Sequence, residues 1–274
     1  MPMAQSNGVQ LHYRRSGAGE PLVLVHGSWV DGGVWDGVVP LLSRSFDVIA
    51  YDRRGHGHSS CPPGQGSVRE DVADLASLIE ALELGAAHVA GASLGGSIAL
   101  RLAAARPELV RSVSVHEPPF FDLLCAEEPP IPELTELRLR LATVAQRLES
   151  GDLEGGARLY FDRVAQTPGG WEGLDRRRRE LLLSHAPTYL DQCRDPDALG
   201  IEIEQLASFE GPALLTHGDR RPPLFKRIVD RVAAVMPGAR TEAIPGSAHD
   251  PQLTHPGPYA RLIEDLVGDR VVPR

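Results

Sequence analysis

The sequence predicts an α/β protein: a mostly parallel sheet with helices on both faces, and a helical insertion late in the chain. Three observations carry this expectation. Short apolar runs alternate with stretches whose apolar positions recur at helical spacing. The strand-like runs stop abruptly at glycine-rich loops. Residues 118–205 break the rhythm, with no β-branched run and only helix-like stretches between Gly and Pro breaks.

Residues 9–15 alternate modestly and end at Ser16-Gly17-Ala18-Gly19, an edge strand and a turn. Residues 21–25 are a continuous apolar run of the kind buried on both faces of a parallel sheet. They end in His26-Gly27-Ser28-Trp29. A short helix near residues 33–42 leads to a second buried strand at 46–51, which stops at Asp52-Arg53-Arg54-Gly55-His56-Gly57-His58-Ser59. Residues 68–84 carry Val72, Leu75, Leu78, Ile79 and Leu82 at helical spacing. A strand at 86–90, a tight turn, and a helix ended by Arg106-Pro107 follow, then a strand at 110–115 that closes on His116-Glu117-Pro118-Pro119. Helices are expected near 132–150, 152–165 and 171–184. Strand and helix then resume at 212–216, 224–235 and 240–244, with Gly246-Ser247-Ala248-His249 and a closing helix at 259–267. The division is therefore a core of residues 1–117 and 206–274, with residues 118–205 as a helical cap over the carboxyl ends of the strands, where ligands bind in open α/β sheets.

The tight turn is the chemical centre. Gly91-Ala92-Ser93-Leu94-Gly95-Gly96 joins strand to helix with a serine at its apex, and side chains two residues either side of that serine would collide. The turn lifts the Ser93 hydroxyl clear of the backbone and aims the following N–H groups at a developing oxyanion. A neutral hydroxyl is a weak nucleophile and needs an adjacent base. His249, on a small-residue loop after the last strand, is the best placed.

Composition excludes several alternatives. Hydrophobic residues make up 42% of the 274 and aromatics 5%, as in an ordinary globular protein. A formal net charge of −9 argues against a nucleic-acid-binding surface, and the Arg176–Arg179 cluster, followed by Glu180 and leucines, reads as a solvated helix face. Three scattered cysteines, Cys61, Cys125 and Cys193, suggest reduced thiols. With no signal region and no apolar run near the ~20 residues of a membrane span, a cytoplasmic protein is expected. No cofactor is implied. His56 and His58 form a bare His-x-His pair with nothing else to supply the remaining ligands, so no metal site is expected. The expected partner is a small-molecule substrate, not nucleic acid or membrane, and a homodimer is left open.

In order along the chain, the His26-Gly27 loop, the Asp52–Ser59 loop, the Ser93 turn and the late Gly246-Ser247-Ala248-His249 resemble the motifs of the α/β-hydrolase fold. The resemblance covers almost the whole chain and is closest to the compact esterases, cofactor-free haloperoxidases and lactonases. It implies eight strands, with the first edge strand weak or missing here, and a lid inserted after the sixth. It implies Ser93 as nucleophile, His249 as base, and an oxyanion hole of two backbone N–H groups, from Ser28 and Leu94. Losing one such donor typically costs about 3–4 kcal/mol of transition-state stabilisation. Trp29 is expected either to line the acyl pocket or to serve as a core aromatic. Serine at the apex, where haloalkane dehalogenases and epoxide hydrolases carry aspartate, counts against those activities.

One position departs from the family pattern. The triad acid usually stands three residues after the glycine ending the seventh strand, and Thr216-His217-Gly218-Asp219-Arg220-Arg221 puts Arg221 there. An arginine has no acceptor for a histidine N–H. Glu117, at the end of the sixth strand, is favoured as the acid, with Asp219 as the alternative. Pro118 is expected to hold Glu117 extended. The implied reaction is acyl-enzyme hydrolysis of an ester, lactone or thioester. Perhydrolysis, haloperoxidation, carbon–carbon hydrolysis, a lyase reaction, and non-catalytic binding on the same scaffold are the alternatives.

Overall fold

The computed structural model describes residues 1–165, 169–220 and 223–268. Eight strands form one sheet: β1 (Met3–Ser6), β2 (Val9–Ser16), β3 (Glu20–Val25), β4 (Phe46–Tyr51), β5 (Ala87–Ala92), β6 (Val110–His116), β7 (Ala213–Gly218) and β8 (Ala239–Ile244). Their spatial order is β1-β2-β4-β3-β5-β6-β7-β8, antiparallel from β1 to β4 and parallel from there on. The fold is that of the α/β hydrolases. The edge strand β1 is present; its four residues pair with β2, and it is too short and half-exposed to register in the sequence pattern.

Helices cover both faces. On one side α2 (Val68–Ala81), α3 (Leu94–Ala105) and α8 (Leu224–Val235) pack on a core that includes Val23, Val89, Ile98, Val113, Leu215 and Ile228. On the other, α1 (Val39–Leu42) and α9 (Pro256–Gly268) close over Leu22, Leu24, Val48, Ala90 and Ile244. The start of α2 is fixed by a capping box, with Ser67 bonding Glu70 N–H while the Glu70 carboxylate returns to Ser67 N–H. Strands buried on both faces explain why the apolar runs were continuous and not alternating.

Between β6 and β7 the chain runs through α4 (Pro132–Glu149), α5 (Leu153–Leu159), a single π-helical stretch at Tyr160–Val164, α6 (Arg176–Ser184) and α7 (Ala186–Arg194). Apart from one 3₁₀ turn at each end, these are the only regular elements among the described residues of that stretch. The sequence pattern missed α7, because the break at His185-Ala186-Pro187 reads as an ending, whereas the proline occupies the first turn of a new helix. These helices share their own small core of Val144, Leu148, Ala157, Phe161, Trp171, Leu182 and Tyr189. Trp29 belongs to that core too, so the segment is anchored directly to the loop after β3.

Candidate active site

Ser93 stands between β5 and α3 with φ 54° and ψ −126°, a backbone conformation few non-glycine residues adopt. The flanking glycines are required by contact. A Cβ on Gly91 would lie 2.3 Å from the Gly95 carbonyl oxygen, and one on Gly95 would lie 2.1 Å from the Val25 carbonyl oxygen. The turn is locked to its neighbour by the Ser93 N–H, which donates to His116 O at 2.8 Å. Leu94 opens α3, so its N–H has no acceptor within the helix, and neither it nor the Ser28 N–H is bonded to another described residue. The His26-Gly27 segment abuts the serine: a Cβ on Gly27 would sit 3.1 Å from Ser93 Cβ and 3.7 Å from its Oγ.

His249 follows β8. Its Nδ1 donates to Glu117 Oε2 at 2.7 Å, which leaves Nε2 as the nitrogen able to take a proton. The ring is largely buried and stacks on Phe225, centroids 5.1 Å apart. Glu117 is fully buried, and its other oxygen accepts the Gly218 N–H at 2.9 Å. Its backbone differs from the sequence expectation, with φ 44° in place of an extended conformation. The reason lies in its partners: Glu117 N–H donates to Thr216 O at 3.0 Å while the side chain folds back to Gly218 and His249, and that combination outweighs the preference set by Pro118. Asp219 lies elsewhere. It is exposed, and its Oδ1 accepts the Gly246 N–H at 2.8 Å, tying together the loops after β7 and β8. Arg221 and Pro222 lie outside the described residues.

Two cavities open on Ser93 and His249. The first, about 280 Å³, is walled by Leu137, Leu141, Tyr160, Tyr189 and Phe225, with Ser28 and Gln192 among its polar groups. The second, about 210 Å³, is bounded by Val30, Phe161, Leu182, Leu253 and the side chain of Arg178. Trp29 lines neither: at 1% exposure it packs behind them against Tyr160, Phe161 and Tyr189. The aromatic walls the sequence did not single out include Tyr160, Tyr189 and Phe225; helical spacing alone could have marked them, without saying that they face a cavity.

The loop carrying Ser28 is braced from beneath and above. His26 Nε2 accepts the Arg53 N–H at 2.9 Å, which makes Nδ1 the donor to Gly27 O at 2.8 Å. From α7, Gln192 Oε1 accepts the Ser28 hydroxyl, and at the junction of α6 and α7 His185 Nδ1 donates to Trp29 O at 2.9 Å. His185 Nε2 accepts the Gly57 N–H at 3.1 Å.

Burial, reinforced by the Arg53 charge, holds His26 and His56 well below the ordinary imidazole range. Burial brings His116 down to about 4. All three are neutral in the folded protein and protonate near pH 6.5 once unfolded. Their contribution to stability is thus fully present above about pH 6.5 and is lost progressively as pH falls from there toward the folded values, by up to ~1.4 kcal/mol per unit for each histidine. Asp71, raised to about 6 by burial, works in the opposite sense, but it is one group against three. Chemical denaturation at stepped pH should show stability falling steeply below about pH 6.5. A flat profile from neutrality to about pH 5 would contradict the neutral, buried state of these rings.

The profile of the alpha/beta hydrolase family matches residues 22–262. The chain is 34% identical to the 2-hydroxy-6-oxo-2,4-heptadienoate hydrolase of Pseudomonas putida, covering 97% of this chain and 95% of that protein. It is 30% identical to the pimeloyl-[acyl-carrier protein] methyl ester esterase of Methylococcus capsulatus, over 94% and 98% of the two chains. A match to the putative carbamate hydrolase of Azorhizobium caulinodans, 37% identical, spans 43% of that protein. Among solved structures, the enol-lactonase of Burkholderia xenovorans LB400 superposes with a TM-score of 0.78 at 21% identity, over 97% of this chain and 100% of that one.

Proposed function

Since the chain belongs to the alpha/beta hydrolase family, we propose that it is a serine hydrolase cleaving small apolar esters, lactones or thioesters through an acyl-enzyme on Ser93. The observation that carries this reading is the buried Glu117–His249 hydrogen bond on the wall of a cavity that also holds Ser93. His249 Nε2 takes the Ser93 hydroxyl proton as Oγ attacks the substrate carbonyl. Glu117 holds the ring in the productive tautomer and stabilises the imidazolium. The Ser28 and Leu94 N–H groups receive the oxyanion. His249 then returns its proton to the leaving oxygen or sulfur, and the acyl group stays on Ser93. Water, deprotonated by the same nitrogen, releases the acid and restores the serine.

In this reading residues 118–205 act as the cap, and Leu137, Leu141, Tyr160 and Tyr189 set the acyl range. A cavity of about 280 Å³ suits short chains. A fluorophosphonate should label Ser93 stoichiometrically, located by peptide mass spectrometry. p-Nitrophenyl acetate and butyrate should be turned over far faster than palmitate. An unlabelled Ser93 would favour a binding protein on this scaffold instead.

A second reading, hydrolysis of a carbon–carbon bond beside a ketone, draws on the near-full-length likeness to the Pseudomonas putida enzyme, whose named substrate is an oxo acid and not an ester. It uses the same three residues. Turnover of a dienoate oxo acid in preference to every ester tested would select it.

A further inference from the structure

The loop after β4 carries two histidines, and the fold sends them in opposite directions. His56 turns inward, buried against His26 and His185. His58 turns outward with its side chain 61% exposed, on a groove of about 800 Å³ between the N-terminal strands, the turn at Asp31 and Gly33, and the start of α6. His12 from β2 and Asp52 from the end of β4 line the same groove. His12 Nδ1 lies 2.8 Å from Asp52 Oδ2, and His58 Nδ1 lies 3.7 Å from that same oxygen. One donor atom from each of the three residues falls within 4.8 Å of the other two.

We propose that His12, Asp52 and His58 form a binding site for a divalent transition-metal ion, with Zn²⁺ the best match to two imidazole nitrogens and one carboxylate oxygen. Ligands at about 2.0–2.1 Å around a tetrahedral ion stand roughly 3.3 Å apart. The separations found straddle that value, and the adjustment falls on His58, whose exposed ring makes no hydrogen bond with a described residue. The carboxylate is already fixed for the task. Asp52 Oδ1 accepts the Gly32 N–H at 2.8 Å, and Oδ2 accepts the His58 N–H at 2.9 Å, so outer partners orient it as they do metal-binding carboxylates elsewhere. In the metal-free protein His12 Nδ1 donates to Asp52 Oδ2, so binding requires that proton to leave Nδ1, with the ring taking the tautomer protonated on Nε2, and Nδ1 then presents its lone pair to the ion. A water from the groove fills the fourth position.

The plain alternative is a His12–Asp52 hydrogen bond with His58 as an incidental loop residue. What separates the two is the His58 nitrogen, held 3.7 Å from the carboxylate oxygen, too far for a hydrogen bond and near enough to share an ion. The sequence hid this site because one ligand is remote: Asp52 and His58 share the loop after β4, but His12 meets them only when β2 pairs with β4. None of the three residues lines the cavities on Ser93, so the site ties β2 to the loop after β4 and takes no part in acyl transfer.

Titration of zinc chloride into the full-length, metal-stripped protein, followed by calorimetry near neutral pH, tests this directly. One equivalent is expected to bind, and His58→Gln should weaken that binding by roughly tenfold or more without lowering the melting temperature of the metal-free protein. At a hundredfold excess over Kd, zinc should raise the wild-type melting temperature by about 5 °C, and the same zinc concentration should give about half that rise or less in His58→Gln. Co²⁺ in place of Zn²⁺ should give the intense visible absorption of a four-coordinate ion. No stoichiometric binding, or binding undiminished in His58→Gln, overturns the proposal; the second result assigns the ion to other surface histidines. His12→Gln is a supporting variant only, since His12 is buried and the exposed His58 decides the outcome alone.

Discussion

Ser93→Ala should lower kcat for p-nitrophenyl esters by about 10⁵–10⁶-fold, as loss of the nucleophile does in other serine hydrolases. What remains should be the ~10³–10⁴ acceleration over water that binding and the oxyanion hole supply without a nucleophile. The fold should be indifferent to the change. The serine side chain faces a cavity, and the strain at φ 54° belongs to the backbone, held by the Ser93 N–H bond to His116 O and by close contacts at Gly91 and Gly95. Far-UV circular dichroism and the melting temperature should therefore match wild type. Undiminished turnover in this variant would end the acyl-enzyme reading.

Glu117→Gln should reduce kcat by as much as ~10⁴-fold with KM little changed. The amide keeps a carbonyl oxygen for one neighbour, but its NH₂ cannot accept the His249 Nδ1–H. Either the Gly218 N–H or the imidazole loses its partner, and the ring favours the tautomer with no free Nε2. Because Glu117 is fully buried, unfolding must be measured alongside, so that a loss of kcat is not mistaken for a loss of folded enzyme. Asp219→Asn is the control. Its carboxylate bonds only the Gly246 N–H among the described residues, so kcat should fall by less than tenfold. A large drop in Asp219→Asn with none in Glu117→Gln would reverse the assignment.

What the sequence disclosed depended on whether a feature is local. The turn at Ser93 could be read because its requirement, no side chain at positions 91 and 95, is met within five residues of chain. Glu117 emerged as a candidate by elimination, from an arginine standing where the family pattern places a carboxylate; its left-handed backbone did not, since that conformation is imposed by Thr216 and Gly218. Trp29 illustrates the other limit. Its position next to Ser28 was plain, but whether its ring faces a cavity or a core depends on Tyr160, Phe161 and Tyr189, contributed more than a hundred residues later. The same holds for β1, four residues whose only identity as a strand comes from pairing with β2.

The bracing of the loop after β3 bears on how turnover is paced. Gln192 and His185 reach from α7 and its start to Ser28 and Trp29, and Thr188 reaches His56. The helical layer thus shares one set of hydrogen bonds with the loops after β3 and β4, the first of which carries the proposed oxyanion donor Ser28. Swinging that layer away to admit substrate would break those bonds and loosen the Ser28 N–H proposed to receive the oxyanion. Traffic must instead pass through a standing aperture, with side chains giving way and helices staying put. With no hinge motion to pace turnover, the chemical step is the expected rate-limiting event, and solvent viscosity, which slows hinge motions and product diffusion alike, should have little hold on kcat.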